Sequence, residues 1–427
     1  MHHFENFKGF AKTEINLFEP LTVLIGPNGS GKSNVIEGIE LLSFIAHGRP
    51  LHEVTDVGRG GAIEIRGGLQ SCPRYGKKSF SLGFKAQVHF DGEDKPFNYE
   101  VKVRAKPHAR IAEEKFIFDD GTMIFETVET TRGATSGDIE VRYNNFSRGG
   151  KKPLVSVSAN RSVFSQYKDF CLKNTKSAAC IQLADGIMQY LRASFVFDPN
   201  PKLMRSYERI GNRTLSKNGA NLSAVLYALK EGNEDEKSSL DRLLHWIRQL
   251  PEEPYQALDF VTTGLHDVIF GMKEGDKGQF IDARLLSDGT LRTLAVLTAL
   301  ETVEPSSRVV IEEFDNGLHP SRVQVLTQAI QDACKRRNLN VLLTTHNPAT
   351  LNALQSDQLR GVVLCTWDRA QRAFTLVRLS DLPRYDTLMD QGRLGDLVTR
   401  RLIEKYLVPN FEKEHKEKAL AWLDSLQ

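Results

Sequence analysis

The sequence contains no apolar run that is long enough to cross a membrane. None of its apolar stretches approaches the roughly 20 residues that a transmembrane helix needs. Charged and polar residues are spread over positions 1–10, where a secretory signal peptide would require an apolar segment. We therefore expect a protein that makes no membrane contact and remains in the cytoplasm.

Cysteine is scarce, and the net charge is small. The five cysteines are scattered without a C-x-x-C pair, which indicates neither a disulfide framework nor a thiolate zinc site. We expect them to be buried and reduced. A net charge of +2 is too small to indicate a dedicated nucleic-acid-binding protein, which usually carries a concentrated basic face. Any contact with DNA would therefore be local.

The N-terminal part is predicted to pass from a strand through a glycine-rich loop into a helix. Residues 13–25 alternate between polar and apolar and then become continuously apolar, as in a buried strand. From Ser33 the apolar residues recur at helical spacing, and Gly48 with Pro50 ends the helix. A P-loop requires this order of strand, loop and helix.

The middle of the chain is predicted to form two lobes. Alternating segments with turn signals between them occupy residues 61–157 and indicate an antiparallel β lobe. Residues 167–250 show helical spacing, which stops at Pro251. We therefore divide the chain into residues 1–166 with the P-loop and the β lobe, residues 167–280 as an inserted helical lobe, and residues 281–427 as the rest of the core with a helical tail.

The last third alternates between helices and strands. Helices are predicted over about residues 288–302 and 320–337, and strands over residues 309–311 and 341–345. Such an alternation is typical of a parallel α/β core. The predicted fold class is therefore α/β, with a parallel or mixed core sheet that contains the P-loop.

Residues 26–33, Gly-Pro-Asn-Gly-Ser-Gly-Lys-Ser, satisfy the pattern G-x-x-x-x-G-K-[ST]. Glycines let successive backbone N–H groups turn toward phosphate oxygens, and the following helix presents its positive end to them. In this pattern Lys32 reaches the β- and γ-phosphates, and Ser33 ligates Mg²⁺. A simple tight turn is the alternative, but the strand before the loop and the helix after it favour binding of ATP with Mg²⁺.

The strand at residues 309–311 ends in two carboxylates, Glu312 and Glu313. A nucleotide-bound magnesium and an attacking water need acidic groups at such a position. Glu312 would hold Mg²⁺ directly or through water, and Glu313 would orient and polarise the water as a general base. Adjacent acids are also common at solvated strand ends, and only the P-loop makes the catalytic interpretation the better one.

Two further segments carry polar groups at places where anions bind. Residues 286–289, Leu-Ser-Asp-Gly, put Ser287 at the N-terminus of the helix predicted over 288–302. Ser287 would either cap this helix or bind a phosphate group held by a partner subunit. The apolar strand at 341–345 delivers His346 to its carboxyl end, where open α/β sheets bind ligands. His346 would contact the γ-phosphate there.

These four motifs, in this order, resemble the ATP-binding cassette (ABC) heads of the RecF, SMC and OLD-type ATPases over nearly the whole chain. The resemblance implies that the chain binds ATP and Mg²⁺ and that Lys32, Glu313 and His346, the switch histidine, act in catalysis. It assigns ATP binding to Gly26, Pro27, Asn28, Gly29, Ser30, Gly31, Lys32, Ser33 and Asn34. It assigns the signature motif to Ser287, Asp288 and Gly289, and the D-loop to Asn316, Gly317, Leu318 and His319.

The resemblance also bears on the magnesium ligands. It implies that Ser33 and Glu312 hold Mg²⁺ and that Gln166 is the Q-loop residue that touches it; an ordinary surface glutamine is the alternative for Gln166. Two residues depart from the family pattern, because Glu312 replaces the usual aspartate and Phe314 replaces the proline that commonly follows the catalytic acid. These departures put the geometry, and so the rate of hydrolysis, in question.

Heads of this kind are expected to form head-to-tail homodimers in which the signature motif of one subunit covers the ATP of the other. ATP then favours the closed dimer and hydrolysis releases it, which makes the protein a switch as well as an ATPase. The interval between Ser33 and Ser287 is longer than in transporter heads, and residues 167–280 lack the sustained heptads of an SMC coiled coil. The segment after His346 lacks an obvious Toprim metal set, so we expect no nuclease activity from this chain.

The remaining type is similar to the stand-alone ATPase of Septu-type anti-phage defence systems, which implies a separate HNH nuclease as partner. One alternative is a RecF-like DNA-binding or repair ATPase, for which the basic clusters at 151–152, 335–337 and 400–401 would contact phosphates or else be solvated surface. Another alternative is an ATP-binding structural oligomer with little turnover. The apolar residues at 420–426 would pack on the head itself or dock on a partner.

Overall fold

The computed structural model describes residues 1–128, 137–147, 149–171, 174–251, 253–274 and 278–407. The predicted helical tail beyond residue 407 lies outside the described residues. Within these ranges, no helix combines the length and the apolar character that crossing a bilayer would require. All five cysteines are buried and none of them forms a disulfide, as expected.

The N-terminal elements are three strands, one helix and a small parallel pair of strands. They are β1 (His2–Phe7), β2 (Phe10–Ile15), β3 (Leu21–Ile25), α1 (Lys32–Ala46), β4 (Val54–Thr55) and β5 (Ile63–Glu64). An antiparallel lobe follows, with β6 (Ser79–Phe90), β7 (Glu93–Arg104), β8 (Arg110–Phe118), β9 (Met123–Val128), β10 (Asp138–Tyr143) and β11 (Leu154–Ser158). The β lobe agrees with the alternating pattern of the sequence.

The next part mixes helices with strands. Its elements are α2 (Val163–Phe170), α3 (Thr175–Arg192), β12 (Ser194–Phe197), β13 (Glu208–Arg209), α4 (Leu222–Lys230), α5 (Glu234–Arg248), β14 (Tyr255–Thr262), β15 (Asp267–Glu274) and β16 (Phe280–Asp282). The last three of these strands form a small antiparallel sheet with β13. The region expected to be a helical lobe therefore also carries a sheet, and its strand β12 belongs to the core.

The C-terminal elements complete the core. They are α6 (Asp288–Thr302), β17 (Arg308–Ile311), α7 (Pro320–Arg337), β18 (Asn340–Thr345), α8 (Pro348–Asn352), β19 (Val362–Asp368), β20 (Ala373–Arg378), α9 (Tyr385–Met389), α10 (Leu394–Thr399) and α11 (Leu402–Leu407). The predicted limits of α6 and α7 coincide with the observed ones, and β17 and β18 differ from the prediction by one residue.

One sheet of fourteen strands joins the core to the β lobe. Its order is β11-β10-β9-β8-β7-β6-β1-β2-β20-β19-β3-β18-β17-β12. The strands from β19 to β12 are parallel, and those from β11 to β1 are antiparallel. The fold is thus a mixed α/β structure, as predicted.

The parallel strands are buried on both faces of the sheet. Every residue of β3 is buried, with Leu24 in one apolar core and Val23 and Ile25 in the other. Helix α1 packs in the first core, and α6 and α7 pack in the second. This explains why β3, β17 and β18 are predominantly apolar and do not alternate in sequence, since both of their sides are covered.

Candidate nucleotide-binding site

Three parallel strands end side by side at one edge of the sheet. Ile25, the last residue of β3, is in register with Thr345 of β18, and Ile311 of β17 is in register with Leu343 of the same strand. The P-loop, the pair of glutamates and His346 each follow one of these strands. The sheet therefore brings together segments that are separated by about three hundred residues in sequence.

The loop after β3 forms a backbone cradle that requires glycine. Gly26 has φ 153° and Gly31 has φ 101°, a region that residues with a Cβ rarely adopt. A Cβ on Gly26 would lie 2.5 Å from the carbonyl oxygen of Cys365, and one on Gly31 would lie 3.1 Å from the ring of Phe374. Gly31 is the N-cap of α1, and no side chain caps that end of the helix. The N–H groups at this end of the helix can donate hydrogen bonds to an anion.

Lys32 is buried at the start of α1 and folds back along this loop. Its Nζ donates hydrogen bonds to the carbonyl oxygens of Gly26 at 2.7 Å and Pro27 at 3.1 Å. Burial lowers the pKa of Lys32, while the nearby carboxylates of Glu312 and Glu313 act in the opposite direction. A triphosphate would add negative charge beside this buried ammonium group and so favour its charged form.

Ser33 and Glu312 join the P-loop helix to the end of β17. The Ser33 hydroxyl donates a short hydrogen bond to Oε1 of Glu312. Serine hydroxyl and carboxylate oxygens are ligands that Mg²⁺ accepts. Next to them, the buried Oγ of Ser30 has no hydrogen-bond partner among the described residues. The residues present therefore fit both a phosphate group and a magnesium ion.

Glu313 is held at the strand end by its backbone, and its carboxylate faces two polar side chains. Its N–H donates to the hydroxyl of Thr344 at 2.8 Å. Nδ1 of His346 lies 3.9 Å from one carboxylate oxygen, and the amide of Asn316 donates to the other at 3.4 Å. Both Glu313 and His346 remain about half exposed. A half-exposed carboxylate beside a phosphate cradle has the geometry that activation of water requires.

A buried carboxylate connects the segment after β17 to the segment after β18. Asp315 accepts a hydrogen bond from the hydroxyl of Thr345 at 2.6 Å and a short one from the hydroxyl of Thr350. Its side chain is buried, so these hydroxyls replace the water that it loses. Sequence reasoning missed this contact, because nothing local indicates that Asp315 faces Thr345 of β18 and Thr350 of α8.

Eleven residues line a cavity of about 140 Å³ at this edge. They are Asn28, Gly29, Ser30, Gly31, Lys32, Ser33, Asn34, Arg66, Glu312, Glu313 and Thr344. All but Arg66 belong to segments that the motifs indicated, although Thr344 itself was assigned no role. Arg66 reaches the cavity from the loop after β5, where its Nε lies 2.7 Å from Glu37 of α1. A lone arginine outside any motif gives no sequence signal.

The signature segment is not part of this cavity. Ser287 is the N-cap of α6, and its Oγ accepts a hydrogen bond from the N–H of Thr290 at 3.0 Å. This is the capping role that the sequence offered as an alternative. Asp288 forms a 2.8 Å ion pair with Arg205. Ser287 and Asp288 are exposed, so both can reach a second molecule.

The D-loop segment packs between the signature helix and α7. A Cβ on Gly289 would lie 3.3 Å from the carbonyl oxygen of Gly317 and 3.4 Å from Leu318. His319 is the N-cap of α7 and accepts a hydrogen bond from the N–H of Ser321. The predicted D-loop residues therefore lie beside the signature segment, and Asn316 contacts Glu313 as described above.

Gln166 does not line the cavity. It is buried in α2, where its amide nitrogen donates to the carbonyl oxygens of Ser158 at 3.0 Å and Ser162 at 3.2 Å. Its amide oxygen accepts a hydrogen bond from the N–H of Ser158 at 3.3 Å. In this structure Gln166 thus stabilises the turn before α2. Because both its amide nitrogen and its amide oxygen form hydrogen bonds there, it does not make the expected contact with the magnesium site.

Comparison with known proteins identifies related sequences. A family model described as "AAA domain, putative AbiEii toxin, Type IV TA system" matches residues 21–352. An "ATP/GTP phosphatase" of Helicobacter pylori is 22% identical, over 82% of this chain and 85% of the relative. The "Retron Vc95 probable ATPase" of Vibrio cholerae serotype O1 biovar El Tor is 21% identical, over 83% of this chain and 71% of the relative.

Among solved structures, an SMC head bound to the C-terminal winged-helix domain of ScpA aligns with a TM-score of 0.45 and 12% identity. The alignment covers 88% of this chain and 95% of the SMC head. This likeness is distant.

Proposed function

Because this chain belongs to the family of AAA domains whose model matches residues 21–352, and is an ATPase of the SMC/RecF-like type, we propose that the cavity at the P-loop is its ATPase site. The hydrogen bond between Ser33 and Glu312 carries this proposal, since it puts two magnesium-ligand groups from distant segments beside the phosphate cradle. Bound Mg²⁺ would neutralise charge on the β- and γ-phosphates.

The residues of the chain would divide the work as follows. The loop of residues 26–34 holds the triphosphate, and Lys32 exchanges its backbone carbonyl partners for phosphate oxygens. Ser33 and Glu312 hold Mg²⁺. Glu313 orients the attacking water and accepts its proton, while His346, 3.9 Å away, contacts the γ-phosphate. Gln166 would serve magnesium only after its hydrogen bonds to the turn are broken.

We propose further that ATP closes a homodimer. Ser287, Asp288 and Gly289 stand at the N-terminus of α6, where N–H groups attract anions, and they do not line the cavity of their own molecule. Leu285 beside them is 74% exposed, an apolar surface that an interface would cover. The signature segment of one copy would then cap the γ-phosphate of the other, so that hydrolysis removes the contacts that hold the dimer.

The biological role that we propose is the ATPase subunit of a bacterial defence complex with a separate nuclease. The relative named as a retron ATPase supports a defence system, as does the toxin–antitoxin description of the matching family. Purification of the tagged chain from its native host tests the partner. Recovery of a nuclease supports the role, whereas recovery of the chain on DNA without a nuclease would favour a RecF-like repair ATPase.

The ATPase site is tested with Glu313→Gln. We expect ATP turnover to fall by about 100-fold or more, because the amide cannot accept a proton, while ATP still binds and a dimer accumulates in light-scattering measurements. Lys32→Ala is the control, and it should lose both ATP binding and the ATP-dependent dimer. Hydrolysis by Glu313→Gln at the wild-type rate would refute the assignment of the base, and a monomer in the presence of ATP would refute the dimer.

A further inference from the structure

We propose that Trp367 is the platform on which the base of the bound nucleotide stacks, so that the site distinguishes a nucleoside triphosphate from a bare triphosphate. This inference rests on the proposed function, because it requires the triphosphate to bind at the P-loop. Trp367 lies at the carboxyl end of β19, and its side chain is 49% exposed. An exposed aromatic ring of this size near a binding site indicates a surface that a ligand covers when it binds.

The register of the sheet puts Trp367 next to the P-loop. Strand β19 runs parallel to β3, and Leu364 is paired with Ile25, the last residue before the loop. The strand β19 continues for several residues past this pair, so Trp367 lies level with the loop. The close approach between Gly26 and the carbonyl oxygen of Cys365 shows that the two segments touch. The base of a nucleotide bound to this loop would extend over one of the neighbouring strands.

The alternation of side chains along β19 fixes the face on which Trp367 stands. Val363 and Cys365 pack in the apolar core that contains Val35 and Ile36 of α1, whereas Leu364 packs in the opposite core. Because side chains alternate along a strand, Trp367 shares the face of Val363 and Cys365. It therefore stands on the same side of the sheet as α1, the helix whose N-terminus forms the phosphate cradle.

Phe374 connects Trp367 to the cradle. The two residues form a cross-strand pair between β19 and β20, with ring centroids 5.0 Å apart and an interplanar angle of 74°. Phe374 also meets the backbone of Gly31, where a Cβ would lie 3.1 Å from the ring. Phe374 thus contacts both the P-loop and the indole of Trp367. This edge-to-face contact limits the rotamers of Trp367, so little conformational entropy is lost when a base stacks on it.

The expected effect is set by the usual strength of stacking between a base and an aromatic side chain. Removal of such a ring weakens binding by about 10-fold. Stacking is insensitive to the identity of the base, because each base presents a π-face. Trp367 would therefore strengthen the binding of ATP and of GTP alike, but not the binding of a triphosphate that has no base.

The experiment compares ATP with inorganic tripolyphosphate, each with Mg²⁺, by calorimetric titration of the full chain. We expect Trp367→Ala to weaken ATP binding about 10-fold and to leave tripolyphosphate binding unchanged, and Trp367→Phe to keep most of the affinity for ATP. Trp246→Phe is the matched control, since Trp246 packs in the second core on α5. ATP should also change the tryptophan fluorescence of the double variant Trp246→Phe/Trp422→Phe, in which Trp367 is the one tryptophan left of three, by more than it changes the fluorescence of Trp367→Phe.

Three other results would contradict either this proposal or the proposed ATPase site. An unchanged affinity of Trp367→Ala for ATP would overturn the proposal. An equal loss for ATP and tripolyphosphate would overturn it as well, because it would show that Trp367 acts by supporting the P-loop through Phe374. If the wild-type protein bound neither ligand, the proposed ATPase site itself would be wrong, and this result is distinct from the other two.

Discussion

The hydroxyl of Thr344 accepts a 2.8 Å hydrogen bond from the backbone N–H of Glu313 and so ties the end of β17 to the neighbouring strand β18. Glu313 has φ 46°, in the left-handed region that residues with a Cβ adopt only at a cost of about 1 kcal/mol or more. The bond to Thr344 holds the residue in this conformation. The direction of the Glu313 carboxylate therefore depends on a side chain of another strand.

We predict that Thr344→Val lowers kcat about 10-fold and changes KM by less than about twofold, because a misdirected base affects the chemical step more than substrate binding. Steady-state ATPase kinetics test this prediction. Thr344→Ser keeps the hydroxyl and should keep most of the activity. A rise in KM at constant kcat would instead show that Thr344 acts only in binding.

A second prediction concerns Glu114, whose carboxylate is fully buried under the start of α2. It accepts hydrogen bonds from the hydroxyls of Tyr99 at 3.0 Å and Ser162 at 2.7 Å, and from the N–H groups of Val163 at 2.7 Å and Phe164 at 2.9 Å. Burial raises the pKa of Glu114, and these hydrogen bonds act against the shift. The carboxylate thus satisfies the exposed donors of a helix N-terminus inside the β lobe.

We expect Glu114→Ala to lower the free energy of unfolding by about 3 kcal/mol, because it leaves several buried donors without an acceptor. Urea denaturation followed by circular dichroism measures the change. Glu113→Ala is the control, since the adjacent Glu113 is exposed and pairs with Lys102 at the surface. Its loss should cost less than about 0.5 kcal/mol, and equal effects of the two substitutions would contradict the prediction.

A third prediction concerns the pH dependence of stability. Burial in β1 lowers the pKa of His3 to about 4 from its ordinary value of 6.5, and lowers the pKa of His2 well below its ordinary value. Between pH 6.5 and pH 4 the unfolded chain therefore binds more protons than the folded protein. Stability is fully present above this window and decreases as the pH falls through it.

The free energy of unfolding should fall by about 2 kcal/mol between pH 7 and pH 5 through His3 alone. We expect His3→Gln, which cannot titrate, to show a correspondingly smaller loss over the same interval. Urea denaturation of both proteins at several pH values provides the comparison. Parallel pH profiles for the wild type and His3→Gln would show that the protonation of His3 does not limit stability.

Local sequence patterns were sufficient for the elements that carry the main motifs. The bounds of α6 and α7 were predicted correctly, because helical periodicity, the Ser287 cap and the proline at the start of α7 are all local signals. The order of strand, P-loop and helix followed from the same kind of information. The β lobe was also predicted, since alternation and turn residues are read within single hairpins.

Contacts between distant segments could not be predicted in this way. Arg66 lines the cavity although it lies outside any motif, and Thr344 lies in a predicted strand but was assigned no role. The amide of Gln166 was expected at magnesium but donates to the carbonyl oxygens of Ser158 and Ser162. Residues 167–250 were predicted to be helical, although the strands β12 and β13 lie within them. Strand order is a property of the whole chain, and propensity within a window contains no information about it.

The sequence by itself determined the motifs of the candidate site: the P-loop, the two glutamates and the histidine are each specified by short runs of residues and by their order. Only the tertiary structure decided which residues share the site. The parallel pairing of β19, β3, β18 and β17 aligns the ends of these strands, and this alignment brings Thr344 to Glu313 and Trp367 to the P-loop. The physical reason is that a parallel sheet collects the carboxyl ends of distant strands at one edge, where their side chains meet irrespective of their separation in sequence.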